Sequence, residues 1–374
     1  GLMQRSRTLP LIIFVGGVAG SDPERWVGQA CRANTVDLVA RAAQVPGLRP
    51  ILVVTPTDGW QDELARMPVE VVPDPPAGRF HFGRRLREVV SLGRCERFLY
   101  VGGGTGPLLT APMLASLADR ALALERGVVT NNLYSSDLLA LAPAAALDSI
   151  DLPATDNDLA WRLAAAGLTV ETLPATAATR LDLDTPHDLL IASYHPACGP
   201  ALQRLASSLP LDRQRLERVL SEMRRPRGEV LVYGRVSAAA WGALERLPCQ
   251  TRVYAEERGM RASGRLERGQ VHAWLGAFLE QVGMGSFFRS LARSCTVALL
   301  DTRVLFAHLG LTPTAADRFY SDLLLPERVA DPTTRAFTAA ALAAPVPLML
   351  GGQSLVSGGV LALAEVAAPD PAGN

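Results

Sequence analysis

The chain of 374 residues has no lysine; all 37 of its basic residues are arginine, set against 37 acids. That excludes Schiff-base catalysis, pyridoxal phosphate attachment, lysyl-adenylate formation and the lysine of a P-loop. Cysteine is scarce: Cys31, Cys95, Cys198, Cys249 and Cys295 lie far apart and form no CxxC. Neither a zinc site nor a disulfide framework is indicated, and free thiols of a cytoplasmic protein are expected. The five histidines make no HxH or HExxH, and GxSxG is absent, so neither a histidine-based metal site nor a hydrolase elbow is supported. Long apolar runs are missing too. The N-terminal run is too short for a membrane span and lacks a clear cleavage site. Residues 336–364 carry no charge, but Pro345, Pro347, Gly351, Gly352, Gly358 and Gly359 break them into helix, buried strand, glycine turn and helix. No membrane partner is expected.

With 48% hydrophobic and 20% charged residues, the chain can bury a large core. Its length favours two domains. Strand patterns at 11–15, 51–55, 69–72, 98–101 and 127–130 alternate with helix patterns at 35–44, 82–92, 110–123 and 156–167, with Thr35 as a helix N-cap. This predicts an α/β fold, a mostly parallel sheet sandwiched by helices. The stretch His195-Pro196-Ala197-Cys198-Gly199-Pro200 marks a boundary between domains 1–195 and 196–374, the latter ending in a disordered tail, 369–374. Residues 1–195 hold 17 Arg and 21 acids, and the rest 20 Arg and 16 acids, so net charge passes from −4 to +4. The second half is also α/β, with strands at 229–235, 251–256, 296–300 and 346–350 and a helix at 269–282. Seven Arg crowd residues 204–227, without aromatic interleaving or a basic overall balance, so a solvated helix face is expected there and no nucleic-acid partner.

Three constellations carry possible chemistry. Val15-Gly16-Gly17-Val18-Ala19-Gly20-Ser21 follows a strand; its glycines serve either a turn or a loop that approaches phosphate. Gly102-Gly103-Gly104-Thr105-Gly106 follows a predicted central strand and leads to a helix, the edge at which open α/β sheets bind ligands. Asp182 and Asp184 sit two apart on an extended segment and project to one side, where they can share a divalent cation. The alternative there is helix punctuation, with Asp184 or Thr185 as N-cap, Pro186 at the first position and Asp188 in the first turn. Asn131 and Asn132 follow a strand and offer amides to a base or sugar, or cap a loop. Asp156-Asn157-Asp158 reads as a helix cap.

Taken in order, these pieces resemble the nucleotidyltransferase superfamily of GT-A-like fold, nearest its MobA-like and phospholactate guanylyltransferase groups. The matching residues are the strand ending in Gly16-Gly17, Thr35–Thr55, Phe82-Gly83 before a helix, Gly103–Leu109, and Leu181-Asp182-Leu183-Asp184-Thr185-Pro186-His187-Asp188-Leu189, which is similar to the family ending D-x-D-T-P-x-D-L. The resemblance covers roughly residues 10–195. It implies transfer of a nucleoside monophosphate from a triphosphate to a small phosphorylated or hydroxylated acceptor, with pyrophosphate released and magnesium as cofactor. It implies nucleotide contacts at Gly16, Gly17, Gly20, Ser21, Gly102, Gly103, Gly104 and Thr105, to which the residue reading adds Asn131 and Asn132, and a metal on Asp182 and Asp184. Two departures touch catalysis. The family's loop lysine is absent, leaving Arg25 and Arg32 as substitutes, which are not equivalent to lysine. The family's metal-binding Asp in the Gly-Asp-x-Pro segment is replaced, since this chain reads Gly103-Gly104-Thr105-Gly106-Pro107. A nucleotide- or sugar-nucleotide-binding protein without catalysis, and a glycosyltransferase of the same fold, stay open beside the transferase. The second half is expected to recognise the acceptor or to form a homodimer surface.

Overall fold

The computed structural model describes residues 7–74 and 78–368. The expected tail 369–374 and most of the loop between Pro73 and Gly78 fall outside the described residues. The chain divides into two compact units. The first comprises Gly1–Gly17, Cys31–Arg180 and Gly199–Leu202; the second comprises Val18–Ala30, Leu181–Cys198 and Gln203–Asn374.

The first unit is built on a seven-stranded sheet: β1 (Leu9–Phe14), β2 (Leu48–Thr55), β3 (Glu70–Pro73), β4 (Phe98–Gly102), β5 (Gly127–Thr130), β6 (Leu138–Ala142) and β7 (Thr169–Thr172). The strand order is β3-β2-β1-β4-β6-β5-β7. All neighbouring pairs are parallel except β4–β6 and β5–β6. The expected mostly parallel sheet is therefore present, with β6 as its one reversed strand. Central strands carry near-continuous apolar runs such as Leu11-Ile12-Ile13 and Leu52-Val53-Val54, as strands covered on both faces must. On one face Ile12, Leu52, Val54, Phe98 and Tyr100 pack against Phe82, Leu86, Val89 and Val90 of the helix Phe82–Leu92. That helix has its predicted bounds, because its apolar residues recur at helical spacing.

Two expectations need correction. The helix assigned to 35–44 runs from Asp22 to Ala42, with Asp22 and Glu24 in its first turn, where the helix dipole favours acids. Thr35 is not its N-cap; it lies mid-helix and its hydroxyl donates back to the Cys31 carbonyl at 2.8 Å. Strand β6 was not anticipated, since Leu-Leu-Ala-Leu-Ala contains no β-branched residue and reads equally well as buried helix.

The second unit holds a four-stranded, all-parallel sheet of β8 (Glu229–Gly234), β9 (Gln250–Ala255), β10 (Val297–Asp301) and β11 (Leu348–Gly351), in the order β11-β10-β8-β9. Its core joins Leu231, Tyr233, Leu300 and Leu350 to Phe287, Phe288, Phe306 and Phe337. The charge-free region becomes the end of the helix Pro332–Leu342, then β11, a π-helical turn Leu355–Gly359 and the helix Val360–Ala367. No helix among the described residues is long and apolar enough to cross a membrane.

Each sheet has a topological switch point where crossovers leave in opposite directions. In the first it lies between β1 and β4, in the second between β8 and β10. Crevices at the carboxyl ends of such strands are where open α/β sheets take ligands.

Candidate functional site

The carboxyl edge at β1 and β4 opens into a cavity of about 640 Å³ lined by Phe14, Val15 and Gly16 from β1 and its exit, Tyr100 from β4, Arg79–Phe82 and Arg84–Arg85 at the next helix, and Ala154–Asp156. One wall is aromatic. Phe14 meets Phe80, Phe82 and Tyr100 edge-on, with ring centroids 6.2, 5.6 and 5.5 Å apart. Phe80 remains 57% exposed, so its ring is open to a planar ligand.

The helix Phe82–Leu92 is fixed tightly to the loop beside it. The amides of Phe82 and Gly83 donate to the carbonyls of Ala154 and Pro153 at 3.1 and 2.8 Å. A Cβ on Gly83 would stand 2.8 Å from both Leu152 Cβ and the Pro153 carbonyl oxygen, so this position requires glycine. The next two amides are also used. Arg84 N–H donates to His81 Nδ1 at 3.2 Å and Arg85 N–H to the His81 carbonyl at 3.0 Å. With its first-turn donors consumed, this helix offers side chains rather than amides to an anion.

Those side chains are arginines. Arg85 is buried, donating to Glu88 and to the Pro73 carbonyl, with Nε 3.4 Å from Asp74 Oδ1. Arg79 and Arg84 are exposed on the cavity and make no ion pair with a carboxylate among the described residues. Two acids face the same space. Asp74 stands beside Arg85, and Asp156 accepts from the Tyr100 hydroxyl at 2.9 Å. Burial holds the Asp156 carboxyl above its ordinary range, against the lowering effect of that hydrogen bond.

The sequence-predicted residues are distributed unevenly. Gly16 lines the cavity, and a side chain there would meet nothing within 4 Å. Gly17 lies near Asp58, which pairs with Arg32 at 2.6 Å. Arg32 also lies over the Trp60 ring, 4.9 Å from its centroid. That pairing holds the Asp58 carboxyl below its usual range. Gly20, Ser21 and Arg25 are counted with the second unit. Ser21 directs both its amide and hydroxyl to Glu24 Oε2, at 2.8 and 2.7 Å, and Gly20 adopts φ +92° beside them. Arg25 is exposed.

In the second glycine cluster, Gly103 and Gly106 are set by packing and backbone conformation. A Cβ on Gly103 would lie 2.8 Å from Val15 Cγ2, and Gly106 has φ +70°. The Asn34 amide donates to the carbonyls of Gly103 and Thr105 at 2.9 and 2.8 Å, and Thr105 is buried; Gly102 and Gly104 keep partial exposure. Asn131 is buried, donating to the Thr179 carbonyl at 3.0 Å and accepting from Leu138 N–H at 3.2 Å, so its amide braces a loop. The Asn132 side chain accepts from Tyr134 N–H at 3.0 Å.

Asp182 and Asp184 belong to the second unit, the former half-buried and the latter exposed. The helix punctuation expected after them is present as a capping box on Pro186–Tyr194, with Thr185 as N-cap and Asp188 reaching back. Asp188 is fully buried, which raises its carboxyl to about 7. No group of three or more His, Cys, Asp or Glu among the described residues could hold a metal ion. The third acid of the motif is spent on capping, so a wholly protein-coordinated metal does not fit.

Sequence reading missed Phe80, Arg79, Arg84 and Arg85 as site residues. The available signal was Arg79-Phe80-His81-Phe82-Gly83-Arg84-Arg85, arginine interleaved with aromatics at a helix start.

The second sheet's edge is differently made. Arg235, just after β8, grips Asp301 at the end of β10 through Nε and Nη2 at 2.7 and 3.1 Å, and its amide donates to the same carboxylate at 3.1 Å. Arg303 pairs with Asp322 through two 2.8 Å bonds. Asp301 and Asp322 are both fully buried. Gly234 has φ +122° and lies so close to Asp301 that no side chain fits.

No family model matches the chain. A phosphoenolpyruvate guanylyltransferase of Mycolicibacterium gilvum is 30% identical over 180 residues, 47% of this chain and 81% of that protein. Another, of Mycolicibacterium vanbaalenii, is 31% identical over 175 residues, 46% and 79%. Solved structures that resemble it include a cytidylyltransferase from Leptospira borgpetersenii, 12% identical with TM-score 0.33, covering 45% of this chain and 76% of that one. A 4-diphosphocytidyl-2C-methyl-D-erythritol synthase from Anaerococcus prevotii is 12% identical with TM-score 0.35, covering 50% and 95%. The chain belongs to the nucleotidyltransferase superfamily. Within it, the chain belongs to the family of phosphoenolpyruvate guanylyltransferases, which its matched segment represents across four-fifths of the relative's length.

Proposed function

We propose that the chain transfers a nucleoside monophosphate from a nucleoside triphosphate to a small anionic acceptor. The observation that carries this reading is the cavity at the β1–β4 switch point, whose lining combines aromatic rings with arginines. A base stacks on Phe80, and Arg79 and Arg84 neutralise phosphate, taking the part that lysine plays elsewhere in the superfamily. An acceptor oxygen attacks the α-phosphorus, the bond to the β-phosphate oxygen breaks, and pyrophosphate leaves with the electron pair. Asp74 and Asp156 suit a base with adjacent N–H donors, which guanine presents, in keeping with the relatives' guanylyl chemistry. The relatives' acceptor, phosphoenolpyruvate, is the first to try, since its carboxylate and phosphate match an arginine-lined site. The superfamily resemblance assigns magnesium to Asp182 and Asp184; bound there it would supply charge neutralisation on phosphate oxygens. Arg32 is committed to Asp58 and Trp60 and acts through that loop rather than as a mobile phosphate cation.

Incubation with magnesium, each of the four nucleoside triphosphates and phosphoenolpyruvate tests this reading. Pyrophosphate release with GTP, reduced by Arg84→Ala, is expected; no release with any triphosphate and acceptor contradicts it. A second reading, nucleotide binding without turnover, rests on the missing lysine and the missing acid at Gly103–Pro107. It predicts GTP binding, lost in Arg84→Ala, with no pyrophosphate.

A further inference from the structure

His81 is the N-cap of the helix Phe82–Leu92, with an extended backbone at φ −131° and ψ 112°. Ser, Thr, Asp or Asn ordinarily fills that position with a side-chain oxygen; here a ring nitrogen takes the role. Nδ1 accepts from Arg84 N–H at 3.2 Å, and the His81 carbonyl accepts from Arg85 N–H at 3.0 Å. A ring nitrogen that accepts carries no hydrogen, so the imidazole is neutral here and its one N–H lies at Nε2. The cap therefore fixes the tautomer as well as the helix start, and leaves a donor at a single atom turned away from the helix amides.

His81 lines the cavity at the β1–β4 edge together with Arg79 and Arg84. The carboxylates of that cavity are already served. Glu88 accepts from Arg85 at 3.0 Å, Asp74 stands 3.4 Å from Arg85 Nε, and Asp156 accepts from the Tyr100 hydroxyl at 2.9 Å. Among the described residues no hydrogen bond engages His81 Nε2, and none engages the guanidinium groups of Arg79 and Arg84. What the segment from Arg79 to Arg84 leaves unspent is donors alone: two exposed cations and one neutral N–H. Two bonds to the first turn hold the His81 donor in place before a ligand arrives, so little ordering is lost on binding. All of these residues belong to the first unit.

We infer that His81 is a ligand-binding residue of this cavity, its Nε2–H donating to an anionic oxygen, of a phosphate or a carboxylate, that Arg79 and Arg84 neutralise. The inference rests on the proposed transfer reaction for the choice of cavity. The oxygen belongs to the triphosphate or to the acceptor, which present the same chemistry to the donor.

The test uses the full chain with His81→Ser and His81→Ala. Serine keeps an oxygen for the Arg84 amide but not the reach into the cavity, and alanine keeps neither. Calorimetry measures GTP, guanosine and phosphoenolpyruvate, each alone, and long-range proton–nitrogen NMR reads the imidazole of wild type. Both variants are expected to lose about tenfold in affinity for GTP or for phosphoenolpyruvate, as one lost bond to a charged group implies, and nothing for guanosine. A loss on GTP assigns the oxygen to the triphosphate; a loss on phosphoenolpyruvate assigns it to the acceptor. Only His81→Ala melts earlier, by a few degrees, because only it loses the cap. In wild type the hydrogen sits on Nε2, and Nε2 rather than Nδ1 responds to ligand. His81→Ser that binds both anions as wild type does overturns the inference, as does a loss on guanosine equal to that on GTP, or a hydrogen on Nδ1. Wild type that binds neither anion overturns it outright. If the affinities respond as expected but no triphosphate yields pyrophosphate, the role of His81 stands and the transfer reading alone fails. If pyrophosphate is released while His81→Ser leaves both affinities unchanged, the transfer reading stands and this role alone fails.

Discussion

The two sheets share one topological device and use it in opposite ways. At the β1–β4 switch point of the first unit the edge is open, with a cavity of about 640 Å³, a half-exposed phenylalanine ring and two exposed arginines. At the β8–β10 switch point of the second unit the same kind of edge is filled by its own charges, Arg235 on Asp301 and Arg303 on Asp322. Arginines on carboxylates already inside the fold have their donors satisfied, whereas arginines without such partners await a ligand's anion. A strand edge therefore marks where a site can be; the pairing state of its charges decides whether one is there.

The sharpest contrast is in stability. Asp301→Ala strands the buried Arg235, and a broken buried pair costs about 3–5 kcal/mol, so denaturant titration should show a large loss. Arg84→Ala, at the open edge, should shift stability by no more than about 0.5 kcal/mol. Equal losses would erase the distinction between the edges.

Binding should invert that order. Arg84→Ala removes a charge-assisted bond worth about 1.5–3 kcal/mol, so GTP affinity by calorimetry should fall about ten- to hundredfold. Arg303→Ala should lower GTP affinity only through misfolding, and not at temperatures where the variant remains folded. Phe80→Ala comes next, losing stacking worth about 1–3 kcal/mol with little change in melting temperature, because the ring is more than half exposed.

The smallest effect is on pH dependence. Burial raises the Asp156 carboxyl above its ordinary value of 3.8, so the folded state retains a proton that the unfolded chain releases. Stability from this group is present below pH 3.8 and declines as pH rises through the folded value. Melting curves of wild type and Asp156→Asn should therefore diverge as pH rises, to the disadvantage of wild type, and then run parallel. Tyr100→Phe removes the lowering bond and should extend the decline to higher pH. A wild type that gains on Asp156→Asn with rising pH would contradict this.

Much of the fold was legible where one signal dominated. The helix Phe82–Leu92 was visible in its apolar spacing, and parallel strands such as Leu48–Thr55 in their β-branched runs. Strand β6 was not, because five Leu and Ala residues carry no period and its reversal depends on pairing with β4 and β5. The candidate site was legible only in part. Gly16 marked the right edge, but Gly103 and Gly106 are glycine for packing and backbone conformation, which single-sequence reading cannot separate from ligand approach. Asn131 looked available until a carbonyl 48 residues away took its amide. Arg79 and Arg84 were hidden because exposure, and the absence of an ion pair among the described residues, are tertiary facts.

Hydrogen exchange of the full chain with and without GTP and magnesium tests the contrast most directly. Protection should appear at residues 14–16, 79–88 and 154–156 and be absent at 234–237 and 301–303. Protection at the second edge, with none at the first, would contradict the assignment of the open pocket as the nucleotide site.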